Sequence, residues 1–370
     1  MKKISFFLSI FLIINFVSNA QNSDNNSIKL LTQKKGVSIR GLSIPESNII
    51  WASGSKGTVA LSINSGNNFE WLQVPGYETR DFRSIHAWNE KEAIIVAVAA
   101  PAIILKTKDA GKSWYKVYEN TDTLMFLDAL HFKNSDEGLV VGDPINNTIF
   151  LLSTKDKGEH WTAVASEYFK TPLAEGEAFF ASSSSNIAQL RNEDFLVSGG
   201  RVSRVWINGT AMDIPIVQGG KSTGANSIAV APNKDKLIIV GGDFTKDTSR
   251  LANAVGLKLM HSKFKKQKGA YSSQWMVDTS IGLPNGYRSS VTYISQNVII
   301  CSGTSGVDIS KNSGKTWHLI SNESFHIVQK QPGSNAVFLA GAGGRIGYYR
   351  LPRSEEHTSE LQSLRHSRMP

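Results

Sequence analysis

The chain has 370 residues and a formal net charge of +9, from 40 Lys and Arg against 31 Asp and Glu, and 41% of its residues are apolar. That length supports a large buried core, and so mild a charge excludes the dense basic face of a nucleic-acid-binding domain. With Cys301 as its single cysteine, the chain has no disulfide framework and no cysteine cluster for zinc or iron–sulfur.

The N-terminus reads as a secretory leader. Lys2 and Lys3 precede an apolar run over residues 4–17, and Ser18-Asn19-Ala20 has the small-x-small form that signal peptidase cleaves. Residues 1–20 are therefore assigned as a signal peptide cleaved after Ala20, and the protein is expected to be secreted or periplasmic. The apolar run falls short of the roughly 20 residues that cross a bilayer, so no transmembrane segment is expected once the leader is removed. At the other end, residues 353–363 resemble a translated sequencing adapter, so residues 353–370 are assigned as a non-native, disordered tail. Residues 27–352 are expected to form one domain.

From Ser27 onward the chain alternates short apolar runs with Gly, Asn, Asp and Ser, an all-β signature. Runs ending in small residues recur at 49–54, 93–100, 138–142, 195–200, 237–242, 298–303 and 337–341. Seven such units, each able to supply four strands, predict a seven-bladed β-propeller of four-stranded antiparallel blades. The last unit lacks its fourth strand, and Ser27-Ile28-Lys29-Leu30-Leu31-Thr32 is expected to supply it and close the ring.

Four units carry a repeated box of hydroxyl, acid or amide, glycine and aromatic. Its third, fifth and eighth positions are Asn64, Gly66 and Phe69; Asp109, Gly111 and Trp114; Asp156, Gly158 and Trp161; and Asn312, Gly314 and Trp317. The roles predicted are structural: the acid or amide accepts turn amides, glycine takes positive φ, and the aromatic fills a seam between blades. The asparagines in two copies weaken a ring of cation-binding carboxylates. The fourth unit replaces the box with an Asn208-Gly209 hairpin turn. In the fifth, the pattern gives way to an insertion with His261, Lys263, Lys265, Lys266 and Lys268, expected to be a solvated hairpin loop. Cys301, flanked by Val298, Ile299 and Ile300, is expected to be buried and inert.

This box resembles the Asp-box, or BNR, repeat. Over residues 37–351 the chain resembles the bacterial propellers related to the photosystem II stability/assembly factor. The matching residues include Gly142-Asp143-Pro144, Gly176-Glu177-Ala178-Phe179-Phe180-Ala181-Ser182, Gly241-Gly242-Asp243-Phe244-Thr245-Lys246, Gly286-Tyr287-Arg288-Ser289 and Ser305-Gly306-Val307-Asp308. The resemblance implies a propeller scaffold with an assembly or stability role. Many such relatives are labelled oxidoreductase, yet the sequence has no Gly-x-Gly-x-x-Gly cradle and no phosphate loop, so no cofactor and no metal are expected.

Candidate functional residues fall on the inner strands and the rim. Aligned starts of the inner strands bring Arg40, Arg83, Asp128, Glu177, Asn226 and Arg288 to comparable positions, with His326 near the seventh. Arg40, Arg83 and Arg288 are assigned as anion-binding groups of a central funnel, and Asp143, Glu177 and Asp243 as rim acids. A ring of mutually satisfied charges is the structural counterpart of that reading. His86 and His131 follow Arg83 and Asp128 by three residues, which puts them on the opposite face of a regular strand, so they are not paired as ligands or as a dyad. The expected function is binding of a protein partner in the cell envelope by a monomer. The alternative is a glycoside hydrolase, sialidase-like or other, using two of Asp128, Asp143, Glu177 and Asp243. Ile39-Arg40-Gly41-Leu42 lacks the proline of a sialidase Arg-Ile-Pro motif.

Overall fold

The computed structural model describes residues 27–261 and 273–352; the leader, the tail and the lysines of the fifth unit lie outside the described residues. β1 (Lys29–Thr32) precedes blade one, which is β2 (Ile39–Glu46), β3 (Ile49–Gly54), β4 (Thr58–Ser62) and β5 (Glu70–Gln73). Blade two is β6 (Phe82–Ala87), β7 (Ala93–Ala97), β8 (Ala102–Thr107) and β9 (Tyr115–Asn120). Blade three is β10 (Leu127–Phe132), β11 (Gly138–Ile145), β12 (Thr148–Thr154) and β13 (Thr162–Ala163). Blade four contains β14 (Glu177–Ala178), β15 (Ile187–Leu190), β16 (Glu193–Gly200), β17 (Arg204–Ile207) and β18 (Thr210–Asp213). Blade five is β19 (Thr223–Val230), β20 (Lys236–Asp243), β21 (Ala254–His261) and β22 (Ser273–Asp278). Blade six is β23 (Ser290–Tyr293), β24 (Ile299–Gly303), β25 (Gly306–Ser310) and β26 (His318–Ser321), and β27 (Ile327–Lys330), β28 (Ala336–Ala340) and β29 (Ile346–Arg350) belong to blade seven.

Among the described residues every strand pairing is antiparallel, and all but three, β14 with β16, β16 with β19 and β1 with β29, join chain neighbours. β16 touches β19 at Gly199 and Gly224, which fuses blades four and five into one sheet. β1 pairs with β29, Lys29 opposite Tyr348, so the N-terminal strand completes blade seven as expected. The innermost strands β2, β6, β10, β15, β19, β23 and β27 touch in that order and return to β2, a closed ring of seven blades. Closure removes the free sheet edge that an open array would expose.

Blades are covered on both faces, which is why β3, β7, β8 and β28 are buried at every residue and read as continuous apolar runs. One hydrophobic cluster fills each seam, such as Trp51, Leu61, Ile95 and Leu105 between blades one and two, or Ile94, Leu130 and Phe132 between blades two and three. Cys301 lies in the seam between blades five and six with no exposed surface, and burial pushes its thiol pKa up.

The repeated box is a turn locked by its own polar groups. The Thr107 hydroxyl accepts the Gly111 amide at 3.0 Å, Asp109 accepts the Ser113 amide at 2.9 Å, and Trp114 Nε1 donates to the Gly111 carbonyl at 3.0 Å. Hydrogen bonds from the Ser113 hydroxyl and amide hold the Asp109 carboxyl down at about 2. Asn64 and Asn312 accept the same amides in their copies, so an amide serves as well as an acid. Both the fourth and the fifth box residue are left-handed, Ala110 at φ 64° and Gly111 at φ 80°. The glycine also faces the preceding blade: a Cβ on Gly158 would meet Ile94 Cδ1 at 2.8 Å. Gly158→Ala is therefore expected to cost about 1–3 kcal/mol through strain and overpacking together, read as a shift in the urea midpoint; an unchanged midpoint would contradict this role.

A plugged funnel as the candidate functional site

Four of the inner strands, β2, β6, β10 and β19, carry an extra residue at their upper ends. The register of β2 skips Arg40, that of β6 skips Arg83, that of β10 skips Asp128 and that of β19 skips Asn226. Each is the bulged residue of its strand, and a bulge re-aims the side chain it carries. The residues that follow, Gly41, Ser84, Ala129 and Ser227, are small, in keeping with close packing between inner strands: a Cβ on Gly41 would meet Ile85 Cγ2 at 3.0 Å.

Blade four departs from this arrangement. Its inner strand is split into β14 and β15, both paired to β16, and residues 179–186 between them leave the sheet and cross the channel. This excursion is bonded to five other blades. Arg40 Nη1 donates to the Ser182 carbonyl at 3.0 Å, and Arg83 Nη1 to the Ala181 carbonyl at 3.4 Å. The Leu130 amide donates to Ser184 Oγ at 3.2 Å, Ser185 Oγ donates to Ser227 Oγ at 2.8 Å, and Ser183 Oγ to the Ser289 carbonyl at 2.5 Å. Ser183 and Asn186 have no exposed surface. The serine run is thus a plug that separates an upper cavity from a lower one.

The upper cavity, about 290 Å3, is floored by Ala181 and Ser182 and lined by Arg40, Arg83, Lys221, Asn226, Tyr287 and Phe244. Asn226 Oδ1 accepts hydrogen bonds from Ser182 Oγ at 3.0 Å and from the Tyr287 hydroxyl at 2.9 Å. Arg83 is paired with Asp81 at 2.8 Å. Arg40 donates to a neutral carbonyl and has no carboxylate partner among the described residues; burial, and then the charge of Arg83, push its pKa down. His326 is pushed down to about 3, first by burial and then by Arg40, Arg83 and Arg345, and so is neutral. Two guanidiniums and an exposed lysine meet in a pocket that, among the described residues, no carboxylate lines. Such an arrangement favours an anion, above all one that accepts the planar donors of arginine.

The other candidates sit elsewhere. Arg288 does not line the funnel: it has no exposed surface and is ion-paired with Asp308, Nε to Oδ2 at 2.7 Å, while its remaining donors are taken by Tyr287 O, Ser305 Oγ and Asn285 O. Ser289, one residue on, meets the plug through its backbone carbonyl, while its hydroxyl donates to the His326 carbonyl at 2.7 Å. Glu177 is not a rim acid either. Its buried carboxylate is ion-paired with Arg204 and accepts Trp206 Nε1 at 3.0 Å and Ser198 Oγ at 2.5 Å. Asp243 caps a short 3-10 turn through the Thr245 amide and accepts Ser222 Oγ at 2.9 Å beside the funnel. Asp143 accepts the Phe179 amide at 3.2 Å, at the start of the plug.

Asp128 has no exposed surface and lies beside the Ala181 amide of the plug, and burial followed by the neighbouring Asp143 raises its pKa well above the ordinary range. Burial likewise raises that of Asp143. Burial, and then the neighbouring His131 on the adjacent blade, push His86 down to about 3, and its ring stacks on Phe132 with centroids 4.5 Å apart. Among the described residues no three His, Cys, Asp or Glu are grouped to hold a metal ion.

Sequence reasoning missed the plug, Tyr287 and Lys221. Signals were present: the interval between Gly142 and Gly199 is long for a single unit, and Ser182-Ser183-Ser184-Ser185 stands within it.

No family model matches the chain, and no curated protein matches its sequence. Solved structures do match. YCF48 bound to D1 peptide aligns with a TM-score of 0.55 at 16% identity, covering 87% of this chain and 96% of that one. YCF48 from Cyanidioschyzon merolae aligns with a TM-score of 0.56 at 13% identity, over 88% and 99% of the two chains. A GH74 enzyme from Niastella koreensis aligns with a TM-score of 0.56 at 13% identity, over 87% of this chain and 53% of its own, about half the enzyme's length. The fold is shared. At such identities it is the fold alone that is shared, and function has to be argued from the site.

Proposed function

We propose that this protein is an exported binding propeller that seats an anionic group of a polypeptide partner in its upper funnel. The observation that carries this reading is Arg40, a half-buried guanidinium without a carboxylate partner, set beside Arg83 over a floor of plug carbonyls. Desolvating such a group is costly unless an anion joins it. Lys221 adds a third, exposed cation, while Phe244 and Tyr287, in edge contact at 5.7 Å, offer an apolar wall to the chain that carries the anion. YCF48 bound to D1 peptide is an instance of a propeller of this shape holding a peptide. For the glycoside hydrolase alternative, Glu177 is committed to Arg204 and Asp128 has no exposed surface, whereas that chemistry needs two carboxyls flanking an accessible bond.

The test is calorimetric titration with short synthetic peptides bearing Asp and Glu against the same peptides bearing Asn and Gln. Acidic peptides are expected to bind more tightly. Arg40→Ala with Arg83→Ala is expected to weaken them by about 100-fold, in line with about 1.5–3 kcal/mol for each hydrogen bond to a charged group. Equal affinity for the two peptide sets, or an unaffected double variant, would overturn the reading.

A further inference from the structure

The plug leaves a second cavity, of about 380 Å3, at the opposite end of the channel. Its walls are the lower parts of β15, β19, β23 and β27, and its blind end is made by Ser184 and Ser185. Much of the apolar lining belongs to residues buried in the seams, such as Ile187, Ile228, Val291 and Val328. The side chains left partly exposed are mostly polar, among them Lys330, Gln329, Thr292, Gln189 and His131.

Three observations point to a ligand. Lys330 is half-buried and has no ion pair or hydrogen bond among the described residues; burial alone acts on it and lowers its pKa. Gln189 Oε1 is buried without a partner, although its Nε2 donates to Asp194. His131, pushed down to about 4 by burial, presents a neutral imidazole that can donate from one nitrogen and accept at the other. Among the described residues no carboxylate lines the cavity. A lone ammonium among amides, hydroxyls and an imidazole matches a compact anion bearing hydroxyl groups, and the volume falls within the range of small-molecule sites.

We infer that the lower cavity is a second ligand site, separate from the funnel, for a small hydroxylated carboxylate of the sugar-acid class. Lys330 binds the carboxylate, and Gln189, Thr292, Gln329 and His131 exchange hydrogen bonds with the hydroxyls. Because the plug separates the two cavities, occupation of this site does not require Arg40 or Arg83.

The test is calorimetric titration of the full chain with glucuronate, with glucose as the uncharged counterpart. Glucuronate is expected to bind at millimolar concentration and glucose about tenfold more weakly or worse. Lys330→Met is expected to remove the preference for glucuronate, Lys330→Arg to keep it, and Arg40→Ala with Arg83→Ala to leave it unchanged. Thermal unfolding of each variant distinguishes a lost site from a lost fold. The inference is overturned if glucose binds as well as glucuronate, if folded Lys330→Met binds like the parent, or if the double arginine variant abolishes binding. That last outcome would place the carboxylate in the upper funnel.

Discussion

Arg288→Ala is expected to destabilise the protein by about 3–5 kcal/mol, the cost of leaving one partner of a buried ion pair uncompensated. Neither Arg288 nor Asp308 has exposed side-chain surface, so water cannot take the place of the guanidinium. Asp308 would retain the Asn285 amide at 3.0 Å and Asn285 Nδ2 at 2.6 Å, which stabilise its charge only in part. The guanidinium also ties together Tyr287 O, Asn285 O and Ser305 Oγ, and Ser305 Oγ in turn donates to Asp247 O at 2.6 Å, so the loss extends into the upper loops of blades five and six. Replacing both partners, Arg288→Met with Asp308→Leu, removes the charges together and is expected to recover most of the loss. Urea unfolding at constant m-value measures both. A single variant within about 1 kcal/mol of the parent would show that the pair is not the keystone its burial implies.

Asp128→Asn is expected to stabilise the protein at neutral and alkaline pH, and by an amount that grows with pH. In the unfolded chain this carboxyl ionises near its ordinary value of about 4. In the folded protein burial and Asp143 hold its proton to much higher pH. Between those two values the folded state carries more protons than the unfolded one, so parent stability falls as pH rises, by up to about 1.4 kcal/mol per pH unit. Above the folded value the loss is complete and constant. Asparagine has the same shape and does not titrate. His86, His131 and His326 act in the opposite sense: burial depresses them to about 3, 4 and 3, so the stability gained by keeping them neutral is present above about 6.5 and is lost as pH falls toward those values. The parent curve mixes both trends, and the difference between Asp128→Asn and parent isolates the carboxyl. A difference that stays flat from acid to alkaline pH would refute the assignment.

The fold was legible because propeller blades are local. Each blade is an antiparallel meander of chain neighbours, so its strands, its turn signals and its period all lie within one stretch of sequence, and even the closing strand at 29–32 was marked by the gap it fills. Half of the funnel was legible for the same reason. Arg40, Arg83, Asp128 and Asn226 share the offset from partner strands ending in small residues that makes each the bulged residue. Arg288 and Glu177 misled because β14 and β23 carry no such register shift, Arg288 lying two residues before β23 begins, and spacing in sequence does not reveal which strands are bulged. Both have found partners on neighbouring strands of their own blades, Asp308 on β25 and Arg204 on β17.

By itself the sequence determined what depends on near neighbours: seven units, the locked turns of the box, the apolar seams and the closing strand. Tertiary structure alone decided that residues 179–186 leave blade four and lie across the channel, with hydrogen bonds reaching 98 residues back to Arg83 and 106 forward to Ser289. The physical reason is that a serine run carries no periodicity of its own. Its hydroxyls and carbonyls are satisfied largely by the ring that closes around them. That closure turns one channel into two blind cavities and leaves Arg40 facing the upper one with no carboxylate ion-paired to it among the described residues.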